Sequence, residues 1–161
     1  MSAGQTTDSV VVCNDITGLA PKFGAAVVAA IKECNAKGFD AIVFESFRSD
    51  ITQKVYYARG RTVIPPQQTV TNASDNSYSW HGYDLAVDVI SKSKEWDAPY
   101  AWFKSVAEIF KANGCKWGGD WKRPDMPHMQ WGKCKPSPSS NARQLLAQGQ
   151  LQTIWKLVNA I

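Results

Sequence analysis

Between Asp84 and Ile90 the chain reads Asp-Leu-Ala-Val-Asp-Val-Ile, an alternation of apolar and polar side chains that a β-strand satisfies and a helix does not. Leu85, Val87 and Val89 fall on one face, and Asp84, Ala86 and Asp88 fall on the other. The apolar face has to be covered by other elements. The opposite face presents two carboxylates on one side of a sheet.

The flanking patterns supply both helices and further strands. Residues 1–20 read as an extended lead-in closed by Pro21. From Lys22 to Lys37, Phe23, Val27, Ala30, Ile31 and Cys34 recur at helical spacing, and Gly38 is placed to stop the helix. Phe39–Phe47 is a β-rich run, after which Ser49 or Asp50 caps a short helix through Ala58. Residues 59–79, rich in Pro, Thr, Asn and Ser, form a long loop of the kind that often carries function. Pro99–Asn113 is an amphipathic helix closed by Gly114, and short strands follow at Cys115–Trp117 and His128–Trp131. Ser140–Ile161 reads as one or two amphipathic helices interrupted near Gly149. Together these elements predict an α+β fold, a small antiparallel sheet flanked by helices, in one domain spanning 1–161.

Composition narrows the function classes. With 161 residues, 44% of them hydrophobic and seven of them Trp, the chain can bury a core without covalent staples. No run approaches the roughly 20 apolar residues of a membrane helix; the longest, Ala25–Ile31, suits a buried helix face. Leu145, Leu146, Leu151, Ile154, Leu157 and Val158 are expected to pack on the domain, without stable membrane insertion. The N-terminus lacks a basic stretch before its short apolar run, so no signal peptide is expected and synthesis in the cytoplasm is. The net charge of +4 mildly favours a polyanionic partner, and an anionic cell wall or outer membrane fits as well as nucleic acid, for which the scattered basic residues form no recognition motif. A monomer is expected. Cys13, Cys34, Cys115 and Cys134 contain no C-x-x-C pair. Free thiols are expected, with a Cys115–Cys134 bridge as the alternative.

The chain has only two histidines, and both stand near carboxylates at the entry to strand-like segments. Taken singly, either reads as a structural side chain. Taken together with Asp88, His81 and His128 meet the requirement of a catalytic zinc site: three protein ligands, with the fourth position left for water. Chain curvature must bring His81 back to Asp88, and His128 would complete the set from a second strand. Asp125, three residues before His128, can then act as general base without ligating the metal.

These residues resemble a known family. Ser79-Trp-His81-Gly-Tyr-Asp-Leu-Ala86-Val-Asp88 is similar to the S-x-H-x-x-G-x-A-x-D signature of the peptidase M15 family, which comprises D-Ala-D-Ala carboxypeptidases and L-alanyl-D-glutamate endopeptidases and includes many bacteriophage endolysins. Asp125-Met-Pro-His128 resembles its second motif, and Phe47-Arg48-Ser49 with Gln53 resembles its upstream element. Trp117-Gly-Gly-Asp-Trp121 resembles a segment that often precedes the second motif, so the likeness runs from about residue 44 to 132. The resemblance implies a hedgehog/D-Ala-D-Ala-peptidase-like fold and a zinc ion held by His81, Asp88 and His128. It also implies Asp125 as base, Arg48 as donor to the oxyanion, and Ser79 and Trp80 beside the substrate. The implied activity is cleavage of the L-Ala–D-Glu bond of peptidoglycan stem peptides by a phage-type endolysin, reaching the wall after release. The alternatives are a D,D-carboxypeptidase and a non-catalytic zinc-binding recognition domain. One departure stands out: the family usually has Gly where this chain has Asp84, so a second carboxylate competes with Asp88 for the metal.

Overall fold

The alternation around Asp88 does form a strand, but a shorter and more deeply buried one than the pattern implies. The fold was taken from a computed structural model that describes residue 10, residues 12–61 and residues 69–161. Most of the first half of the lead-in, and residues 62–68 of the long loop, lie outside the described residues. In chain order the elements are α1 (Pro21–Ala36), β1 (Ala41–Glu45), α2 (Asp50–Ala58), β2 (Ala86–Ser91), α3 (Tyr100–Ala112), β3 (Cys115–Trp117), β4 (His128–Trp131), α4 (Ser140–Ala147) and α5 (Leu151–Leu157). The strands form one antiparallel sheet in the order β1-β2-β4-β3. This is the α+β architecture expected.

All six residues of β2 are buried, the strand lying inside the sheet between β1 and β4. On one face Val87, Val89 and Met129 pack into a core shared with Phe23, Val27 and Ala30 of α1 and Phe103, Val106 and Phe110 of α3. Each such side chain contributes about 1.5–3 kcal/mol by leaving water, so Phe103→Ala would cost roughly 3–5 kcal/mol. The other face is the floor of a cavity.

Register aligns that floor. Asp88 pairs with His128 on β4, and a bulge between Val43 and Glu45 brings Glu45 of β1 opposite Asp88. Glu45, Asp88 and His128 therefore stand in one row across three adjacent strands.

Two sequence expectations need correction. β2 begins at Ala86, two residues after the predicted start, because Asp84 adopts a left-handed conformation (φ 57°, ψ 35°) that closes the preceding turn. Asp84 therefore does not share a strand face with Asp88. His81 lies not at a strand mouth but inside a 3-10 turn, Trp80–Tyr83.

Ser49, of the two candidates, caps α2: its hydroxyl accepts the Thr52 N–H at 3.1 Å. At the other end of the chain, α4 and α5 are separate and lie against the body of the protein. Trp155 donates its indole N–H to the Tyr83 carbonyl at 2.8 Å, and Trp131 donates to Val158 at 2.7 Å. No helix among the described residues is long and apolar enough to cross a membrane. All four cysteines are free, and burial pushes the thiols of Cys115 and Cys134 up to about 12.

Candidate metal centre

Three short segments deliver the site. Asp88 and His128 come from paired strand positions, so the ladder alone sets their spacing. His81 is brought by the 3-10 turn, which Ser79 caps by accepting the His81 N–H at 3.3 Å. The turn packs so tightly that a Cβ on Gly82 would collide with the Asn76 backbone. On its far side the Arg48 N–H donates to the His81 carbonyl at 3.0 Å.

The two rings are then oriented by different means. His81 Nδ1 lies 2.9 Å from the Ser46 carbonyl, an acceptor only, so that nitrogen carries the proton and Nε2 is left with its lone pair. Nε2 is buried, has no hydrogen-bond partner, and sits 3.3 Å from Asp88 Oδ1. His128 is turned the other way: its Nε2 lies 2.7 Å from Gln130 Oε1, and its Nδ1 faces Asp88 Oδ1 at 3.8 Å. Gln130 is itself fixed, because its amide N–H donates to the Lys135 carbonyl at 2.9 Å. Two bare imidazole nitrogens thus converge on one carboxylate oxygen.

The three donor atoms lie within 4.8 Å of one another. Ligand atoms of a tetrahedral zinc are roughly 3.3 Å apart, a spacing already met between His81 and Asp88. An orphaned buried nitrogen, a second one aimed at the same point and a carboxylate make a donor set that fits a divalent metal. Asp84 and Asp125 stand outside this cluster.

Charge reinforces the arrangement. Burial pushes the Asp88 carboxyl up, but His81, Arg48 and His128 outweigh it and hold the group well below the usual carboxylate range. Burial, with His81 adding, pulls His128 down to about 4, so it is neutral at pH 7, the form that ligates.

Arg48 is neither on the surface nor free. Its Nε donates to Glu45 Oε1 at 2.8 Å, Nη1 to Gln53 Oε1 at 3.0 Å and Nη2 to Asp88 Oδ2 at 3.3 Å. Tyr56 donates its hydroxyl to the second Glu45 oxygen at 3.1 Å. Arg48 thus holds the Asp88 oxygen that faces away from the histidines.

The floor opens into a cavity of about 1070 Å³, lined also by Ser79, Trp80, Trp121 and Asp125. Trp80 is otherwise buried, its ring against Tyr83 and its indole N–H on the Lys135 carbonyl at 2.7 Å. Trp121 lies over the His128 ring at 4.9 Å. Asp125 is placed by the Gly118 carbonyl, which accepts its N–H at 2.9 Å, and a Cβ on Gly118 would strike the Asp125 carbonyl. Asp125 keeps an exposed face to the cavity while protein atoms crowd its carboxyl. That crowding, with the charge of Asp88, pushes it up to about 7.

Ser46, Gln130 and Glu45 escaped the sequence reading. Gln130 was open to detection, since two residues beyond His128 on a strand is the same face. Ser46 acts through a carbonyl that every residue has, and Glu45 reaches the site only through the bulge.

Comparison with known proteins bears on this site. Residues 72–131 match a peptidase M15 family described as D-alanyl-D-alanine carboxypeptidase. The chain is 36% identical over 107 residues to the peptidoglycan L-alanyl-D-glutamate endopeptidase CwlK of Bacillus subtilis (strain 168). That match covers 58% of this chain and 62% of the relative, so the chain spans less than two thirds of CwlK's length. Among solved structures, the fold is similar to that of the Serratia marcescens L-Ala D-Glu endopeptidase ChiX, with a TM-score of 0.56 and 18% identity, covering 77% of this chain and 92% of the other. It is also similar to the LD-carboxypeptidase LdcB, with a TM-score of 0.50 and 12% identity, covering 86% and 68%.

Proposed function

We propose that this chain, which matches a peptidase M15 family model over residues 72–131 and is 36% identical to CwlK over 107 residues, is a zinc-dependent peptidoglycan peptidase that hydrolyses the L-Ala–D-Glu bond of stem peptides. The observation that carries this reading is the convergence of His81 Nε2 and His128 Nδ1 on Asp88 Oδ1 at the floor of an open cavity. The choice of bond follows the relative CwlK.

When bound, zinc supplies Lewis-acid polarisation of a carbonyl and makes water acidic enough to react near pH 7. His81, Asp88 and His128 would hold it. Asp125 takes the proton from the attacking water and returns it to the leaving amine, so the base of the first half is the acid of the second. Arg48 fixes Asp88 through Oδ2 and has an Nη1 proton left for the developing oxyanion. Ser79 holds the His81 turn, and Trp80 forms part of the cavity wall beside it.

The family's description favours a second reading, removal of a terminal D-Ala. Digesting purified peptidoglycan and identifying the new termini by mass spectrometry separates the two. New D-Glu amino termini support the endopeptidase. Released D-Ala supports the carboxypeptidase, and no new termini in the presence of zinc refutes both. The setting we assign is wall lysis by a phage-type lysin released from the cell that makes it, which a drop in turbidity of outer-membrane-permeabilised bacteria would test.

A further inference from the structure

The loop between β3 and β4 carries two adjacent cations, Lys122 and Arg123, both exposed and both lining the cavity. No hydrogen bond, ion pair or ring contact engages either one among the described residues. Other cations of the chain are committed: Arg48 to Glu45, Gln53 and Asp88, Lys111 to Asp120 at 2.7 Å, and Lys116 to the Cys134 carbonyl at 3.0 Å.

The loop that presents them is held at both ends. Gly118 accepts the N–H groups of Trp121 at 3.2 Å and of Asp125 at 2.9 Å, and the Trp121 ring rests on His128. Arg123 is two residues from Asp125, so their Cα atoms are at most about 7 Å apart. A group bound by this pair therefore lies close to the bond being cut.

The charges of the cavity leave the pair unanswered. Glu45 and Arg48 neutralise one another, a divalent metal would balance Asp88 and Asp125, and Arg59, on the same lining and engaged elsewhere, adds no negative charge. A cationic mouth remains, suited to a ligand with a carboxylate of its own. A glutamate joined to the chain through one carboxyl keeps the other, so the D-Glu of an L-Ala–D-Glu bond brings such a group to the leaving side.

We propose that Lys122 and Arg123 form a carboxylate subsite that selects stem peptides whose D-Glu is a free acid over those in which it is amidated. Arg123 offers paired N–H donors that match a carboxylate, and Lys122 adds a point charge. The proposal rests on the peptidoglycan reading for its ligand, but its test does not require turnover.

Zinc-loaded Asp125→Ala protein is titrated calorimetrically with an L-Ala–D-Glu peptide and with the same peptide carrying an amide at the D-Glu carboxyl. The acid should bind about tenfold tighter, with a margin that narrows as salt is added. Adding Lys122→Gln and Arg123→Gln, both at exposed positions, should abolish the margin without moving the melting temperature. In otherwise wild-type protein the same pair should raise KM for the acid peptide and leave kcat unchanged. Equal binding of acid and amide, a preference that survives the double change, or no binding of either peptide overturns the subsite. Selective binding of the acid by a protein that cleaves neither peptide supports the subsite and refutes the hydrolase reading.

Discussion

Gln130 Oε1 lies 2.7 Å from His128 Nε2, two positions along the same strand face, and decides which nitrogen of His128 is bare. Gln130→Leu keeps the volume and removes the acceptor. Metal affinity should fall by about 10–100-fold, with the fold intact by circular dichroism. Competition against a chelator of known affinity measures it, and an unchanged zinc affinity would show that the hydrogen bond does not hold the ring.

The assignment of Asp88 over Asp84 has an equally direct check. Asp88→Ala should lose metal and activity together, since it removes the oxygen on which both histidines converge. Asp84→Ala should keep about one zinc per chain by elemental analysis. The reverse pattern would transfer the ligand role to Asp84.

Asp125→Ala should retain zinc and fold yet lose hydrolysis of peptidoglycan by about 10²–10⁴-fold, the usual contribution of a general base. Asp125→Glu, which keeps the carboxylate but displaces it, should recover part of that loss. Wild-type rates in Asp125→Ala would remove it from the mechanism.

Asp84 also makes stability depend on pH. Burial, with the charge of Asp15 adding, pushes its carboxyl from 3.8 up to about 6. The fold therefore favours the protonated form: this stabilisation is complete below about pH 4 and is lost as pH rises through 6. Asp84→Asn removes the charge and tolerates the positive φ. It should melt with the parent near pH 4 and be more stable near pH 7.5, by on the order of 1 kcal/mol once solvent screening of this partly exposed group is allowed for. An equal difference at both pH values would refute the linkage.

That His81, Asp88 and His128 come together, with Asp125 on the same cavity, was legible in the sequence because each sits in a motif whose spacing has chemical meaning. The helices were legible for a similar reason, since a 3.6-residue period and a closing Gly are local signals. Asp84 was misread because alternation says nothing about φ. Its backbone is turned to the left-handed region by the 3-10 turn before it, which holds His81 over the sheet. Full burial of β2 was hidden for a different reason: its polar face lies at the bottom of a cavity walled by segments from distant parts of the chain, and no period within the strand reports them.

The bulge in β1 has an effect on variability. With an unbroken ladder, Phe44 would stand opposite Asp88; the extra residue hands that position to Glu45 and leaves Phe44 spare. Phe44 meets Trp96 edge-on at 4.7 Å, and the two form one wall of the cavity. Because the bulge leaves Phe44 unpaired with β2, its side chain can change without altering any strand pair that carries the metal ligands. Positions 44 and 96 are thus a panel that can be refitted, by selection or by design, while the chemistry behind it stays in place.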